Sequence, residues 1–194
     1  TTLATARFIR NRLVNFRLAV PSVLAAVMGS SIGAHLSMAT DEKIMRYILF
    51  IILPVSALIV LNKKLFHDAE DDSVHLNRRT VLTAIGAAFT IGIYDGFYGP
   101  GTGTFLIIAF TVLARMSIQT ANAQAKVINL TTNITSLVIF LINGQVLIPL
   151  GLAAAVCNMA GGYLGAGLVM TKGSKIVKPI ILFVLVLLLF KILQ

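Results

Sequence analysis

The apolar stretch from 81 to 114 is interrupted at its centre by Tyr94-Asp95-Gly96-Phe97-Tyr98-Gly99-Pro100-Gly101-Thr102-Gly103-Thr104, and no other feature constrains the chain as strongly. A continuous helix cannot pass through Gly-Pro-Gly-Thr-Gly, because Pro100 removes an amide donor and clashes one turn back while the glycines bend at little cost. The helix stops and restarts. In lipid such a break is tolerated where the freed amides and carbonyls face protein, water or a ligand, so it marks a candidate site in a carrier or channel.

Lipid is also the solvent that the composition demands. With 57% hydrophobic and 12% charged residues, and a mean hydropathy of +0.91, a chain of 194 residues is too apolar to clothe a soluble domain. The net charge of +9 does not point to nucleic acid. Lys and Arg sit in short clusters between apolar runs, as the positive-inside rule predicts. Cys157 stands alone, which excludes a disulfide framework and a Cys-rich metal site; it reads as a small core residue. No cofactor is implied. Residues 1–17 carry Arg7, Arg10, Arg12 and Arg17 without the separate apolar core of a cleavable signal, so insertion is expected to rely on the spans themselves.

The apolar runs are 18–39, 44–61, 81–98, 104–114, 127–143, 146–170 and 179–193, all expected to be helical because lipid excludes open sheets. Five read as crossings. The run 104–114 would extend only about 16 Å against a hydrocarbon core of roughly 30 Å, so 81–114 is expected to form a broken or re-entrant hairpin that leaves from and returns to one face. Charge agrees with that choice. Lys63, Lys64, Arg78 and Arg79 in 62–80, Arg115 and Lys126 in the turn 115–126, and Lys172, Lys175 and Lys178 in 171–178 all fall on the cytoplasmic side. The loops Asp41-Glu42-Lys43 and Asn143-Gly144-Gln145 and the C-terminus then face outward.

Residues 3–61 align without gaps on 135–193. Gly29-x-x-x-Gly33-Ala34-x-Leu36 against Gly161-x-x-x-Gly165-Ala166-x-Leu168 is the part that apolar composition explains least. The assigned topology makes the copies inverted, as in many secondary transporters; the small-residue stripes equally serve close helix packing alone. The expected division is 1–61 as the remainder of a first repeat, 62–80 as a cytoplasmic linker, and 81–194 as a second repeat with its hairpin. A first hairpin matching 81–126 would fall upstream of Thr1, so roughly 50 or more residues are expected to be missing there, since inverted repeats build one site from two halves.

Two segments carry a family resemblance. Phe89-Thr90-Ile91-Gly92-Ile93-Tyr94-Asp95-Gly96-Phe97-Tyr98-Gly99-Pro100-Gly101-Thr102-Gly103-Thr104-Phe105 and Ala123-Gln124-Ala125-Lys126-Val127-Ile128-Asn129-Leu130-Thr131-Thr132-Asn133 resemble the sulfite exporter TauE/SafE-type transporters, within them the YfcA-like branch. The resemblance implies a multi-pass bacterial inner-membrane (plasma-membrane) carrier that exports small sulfur-containing or organic anions. The first Gly-rich hairpin of that family has no counterpart in this chain.

The expected substrate site is Gly101, Thr102, Gly103 and Thr104, where a restarting helix presents free amides and threonine hydroxyls, faced by Asn129, Thr132 and Asn133 at helical spacing. Capping of their own helix explains Thr102 and Thr104 equally well. Asp95 is the only acid well inside an expected span; with Tyr94 it is a candidate for proton coupling, or for fixing the hairpin by accepting bonds from its broken backbone. Lys126 marks an inner mouth or the cytoplasmic boundary. His67, Asp68, Glu70, Asp71, Asp72 and His75 read as a solvated loop rather than a metal site. His35 reads as a hydrogen-bonded packing residue. Pro21 and Pro54 lie where helices tolerate them in a membrane.

A carrier of small anions is therefore the leading expectation. An intramembrane aspartyl protease would need a second carboxylate within a span, and none exists, so no enzyme is expected. An anion channel, or a membrane interaction protein without transport if the first hairpin is absent, are the alternatives. No nucleotide-binding loop occurs, so ion gradients or a partner would supply the energy.

Overall fold

A computed structural model describes residues 2–61 and 77–172. Most of the 62–80 linker, the cluster from His67 to His75 and the expected span 179–193 lie outside the described residues. The elements are α1 (Thr2–Arg10), α2 (Phe16–Ala39), α3 (Glu42–Leu61), α4 (Arg78–Phe97), α5 (Thr102–Ile108), a π-helical turn (Ala109–Leu113), α6 (Ile118–Ile142) and α7 (Ile148–Lys172). No strand occurs among them, so the all-α reading holds. The helices α2, α4 and α6 are each long and apolar enough to cross a bilayer, and Pro21 and Pro54 sit inside α2 and α3 without ending them.

Glycine sets the α2–α4 contact. A Cβ built on Gly33 would lie 2.0 Å from the Ile93 carbonyl oxygen, and one on Gly96 would lie 2.1 Å from that of Ser30. Gly29 meets Phe89 and Gly92 meets Ala26 in the same way. The two backbones touch, with the Gly29-x-x-x-Gly33 stripe of α2 laid on Gly92-x-x-x-Gly96 of α4. Because Ala26 faces Gly92 and Ser30 faces Gly96, the helices run in the same direction. Helix α6 is parallel to them as well: Gln124 Nε2 donates to the Asn15 carbonyl at 3.0 Å, and fifteen residues further along the chain Ser30 Oγ donates to the Thr132 carbonyl at 3.0 Å.

Three parallel helices in succession require a return between α4 and α6, and residues 98–117 supply it. The return is the expected hairpin, ending in a π turn. The Ala114 amide bonds the Ala109 carbonyl at 3.2 Å and the Met116 amide that of Phe110 at 3.0 Å, while Arg115 adopts φ +53°. Leu18, Ala26, Ala84, Ala88, Leu106, Phe110, Met116, Ala121 and Ile128 are buried between these arms.

Two expectations are corrected here. The turn expected at 115–126 shrinks to four residues, because Ser117 accepts the Thr120 amide and caps a helix that begins at Ile118. Its first turns carry Thr120, Ala123 and Gln124, whose small or amide side chains are buried against α1 and α2 rather than solvated. Cys157, expected in a core, is exposed, since the described face of α7 lies open around it.

Candidate substrate site at the helix break

The break lies part-way along its neighbours. Gly96 is level with Ser30, and Asp95 with Thr132; α2 and α6 continue beyond those points for nine and ten residues, or about 14 to 15 Å. The hairpin is therefore re-entrant, with its tip among helices. At the tip Gly99 and Gly101 adopt φ +88° and +85°, a left-handed conformation that side chains disfavour. The Tyr94 hydroxyl donates to the Pro100 carbonyl at 2.5 Å, and its ring meets Phe105 edge to face at 5.4 Å. These contacts clasp the two arms.

Asp95 joins three segments. Its Oδ1 accepts from Thr102 Oγ1 at 2.5 Å, and its Oδ2 accepts from Thr132 Oγ1 on α6. Both threonines are buried, at 2% and 1% exposure. The sequence suggested backbone donors for Asp95; the donors are side-chain hydroxyls instead. Thr102 does not cap α5: Gly101 holds the cap position with no side-chain bond, and Thr102 Oγ1 also reaches the Gly99 carbonyl at 2.7 Å.

The expected site residues divide into two groups. Thr102 and Thr132 turn inward to Asp95. Gly103, Thr104 and Asn129 are half-buried and Asn133 is exposed. The Thr102 and Thr104 amides are taken by Gly99 and Gly101 carbonyls at 3.2 and 2.9 Å, whereas the Gly103 amide has no partner among the described residues. Asn129 Nδ2 would stand 3.7 Å from a Cβ on Gly103. Asn133 Nδ2 donates to Asn129 Oδ1 at 2.8 Å and to the Asn129 carbonyl, which turns the Asn129 amide group. Lys126 lies six residues below Thr132 on α6, and its carbonyl accepts Thr5 Oγ1 at 3.1 Å.

Sequence reasoning missed Ser30 and Gln124. Ser30 Oγ bonds the Thr132 carbonyl and, at 2.8 Å, Ser136 Oγ, bracing the helix that presents Thr132. Its place between Gly29 and Gly33 was the available signal. His35 is hydrogen-bonded as expected, 2.7 Å from the Ser31 carbonyl, but exposed rather than packed. Among the described residues no group of three or more His, Cys, Asp or Glu comes together.

Comparison with known proteins fits this architecture. Residues 1–192 match the family model described as sulfite exporter TauE/SafE. A probable membrane transporter protein of Haemophilus influenzae is 34% identical over 179 residues, covering 92% of this chain and 69% of the relative. Probable membrane transporter protein YfcA of Escherichia coli K12 is 32% identical, covering 93% and 66%. A probable membrane transporter protein ORF9 of a Sinorhizobium species is 31% identical, covering 98% and 72%. The chain thus spans about two thirds of the length of these relatives. No solved structure matches.

Proposed function

The chain belongs to the sulfite exporter TauE/SafE family, and from that premise we propose that it serves as a secondary transporter of the inner, plasma membrane, exporting small sulfur-containing or organic anions by alternating access. One observation carries the reading: at the re-entrant tip, the Asn129 side-chain amide stands 3.7 Å from where a Cβ on Gly103 would lie, beside a Gly103 amide that has no partner among the described residues. Two neutral N–H donors at such a depth suit an oxyanion, which they hold without the trapping effect of a buried lysine. Asn133 orients Asn129, and Thr104 follows Gly103 in the same first turn. Gly101 supplies the bend. Thr102 and Thr132, already donating to Asp95, shape the site from behind. The repeat of 3–61 in 135–193 would provide the inverted helices that alternating access requires.

Counterflow in proteoliposomes tests the reading, with sulfite, thiosulfate, sulfonates and carboxylates as the anions. Saturable uptake stimulated by anion on the opposite side is expected for at least one of them. Flux that never saturates would indicate a channel, and no flux for any anion would refute the proposal.

A further inference from the structure

Thr102 Oγ1 lies 2.5 Å from Asp95 Oδ1 and 2.7 Å from the Gly99 carbonyl oxygen. A hydroxyl carries one proton, so it donates to one of these acceptors at a time. Thr132 is placed alike: its Oγ1 reaches Asp95 Oδ2 and, along its own helix, the Asn129 and Ile128 carbonyls at 3.1 and 3.2 Å. Each threonine has a carboxylate seat and a carbonyl seat. With Asp95 ionised, both hydroxyls donate to it. With Asp95 neutral, the new carboxyl O–H donates to one threonine oxygen, and that hydroxyl turns to its carbonyl. Neither state leaves a buried polar group unpaired. Backbone amides could not do this, because an N–H cannot turn away and accept.

The described surroundings supply no counter-charge. Among the described residues Asp95 makes no ion pair. From α2 the titratable group at this level is His35, exposed and bonded to Ser31. The segment Thr102–Leu113 and the part of α6 beyond Lys126 hold no titratable side chain, and Lys126 lies about 9 Å along α6 from Thr132. On its own arm stand Tyr94, which donates to Pro100, and Tyr98. A carboxylate among apolar helices with no cation beside it is costly, and binding a proton removes that cost.

We propose that Asp95, Thr102 and Thr132 form a reversible proton-binding site at the re-entrant tip, in which the two threonine hydroxyls rotate between carboxylate and carbonyl as the proton comes and goes. The proton is taken from water onto a carboxylate oxygen and returned to water; the threonines keep their own. Thr102 opens the second arm and Thr132 belongs to α6, so the bonds that change are those that hold the two arms together and the tip against α6. The coupling of this proton to anion movement rests on the transporter reading; the proton binding does not.

Infrared difference spectroscopy against pH, on the full chain in lipid nanodiscs without any anion substrate, tests it. A protonated-carboxyl stretch is expected on acidification, absent in Asp95→Asn, shifted to higher frequency in Thr102→Val and unshifted in Thr102→Ser. Asp95→Asn is expected to fold, since an amide can replace a neutral acid between two turning hydroxyls. A folded wild type without the band, or a band that survives in Asp95→Asn, would overturn the proposal. Should Asp95→Asn fail to fold, an unshifted band in Thr102→Val would overturn it alone. In proteoliposomes, accumulation driven by a pH gradient should be lost in Asp95→Asn while counterflow persists; accumulation driven by sodium and indifferent to pH would refute the proton. Absence of counterflow in the wild type would count against the transporter reading and leave the infrared test decisive.

Discussion

Helices α2 and α7 carry the same pattern of small residues and meet opposite circumstances. On α2, Gly29 and Gly33 lie against the backbone of α4 with no room for a methyl group. On α7, a Cβ at Gly161 meets nothing within 4 Å, and residues 148–161 are exposed throughout. A Gly-x-x-x-Gly stripe thus records a capacity for close approach, and the partner decides whether it is used. The partner of α2 is recognisable because it has the complementary stripe, Gly92 and Gly96, directly before the break.

The largest expected effect falls on that crossing. Gly96→Ala or Gly33→Ala would put a methyl carbon about 2 Å from a backbone oxygen, so the helices must separate; a loss of roughly 3 kcal/mol or more is expected, at the upper end for overpacking. Thermal unfolding in detergent should show little folded protein. A tolerated substitution at either glycine would break the comparison. Next is Ser30→Ala, which removes the bonds to the Thr132 carbonyl and Ser136; a lowered melting temperature corresponding to about 1 kcal/mol is expected, the usual scale between membrane helices. Smallest is Gly161→Ala. With open space around it and alanine the better helix former, its melting temperature should match or slightly exceed that of the wild type, and a fall as deep as that of Gly33→Ala would reveal a helix seated on α7.

What the sequence disclosed follows from strong local physics. Pro100 and its flanking glycines cannot continue a helix, so the break was legible to the residue, and the short second arm forced the return to the starting side. The start of α6 was hidden because hydropathy falls over Gln119, Asn122, Gln124 and Lys126, although these are good enough helix formers once Ser117 caps them and α1 and α2 cover them. The π turn at 109–113 leaves no mark in an all-apolar segment. Asp95 was singled out by its isolation, and Thr102 and Thr132 were named as well. That they serve the carboxylate before any substrate depends on the tip lying level with Thr132, a matter of tertiary depth that spacing does not encode.

Gly103 sharpens the contrast with Gly96, and it bears on the central claim. A methyl group there would lie 3.7 Å from Asn129 Nδ2, an ordinary contact, and alanine is favoured over glycine in a helix by up to about 1 kcal/mol. Gly103→Ala should therefore fold as well as the wild type while setting a methyl group against the Asn129 side-chain amide. The direct measurement is the half-saturation concentration for anion counterflow in Gly103→Ala beside the wild type. An increase of about tenfold or more is predicted, the equivalent of roughly 1.4 kcal/mol of lost binding, and a well-folded Gly103→Ala with wild-type half-saturation would contradict the placement of the anion at the helix break.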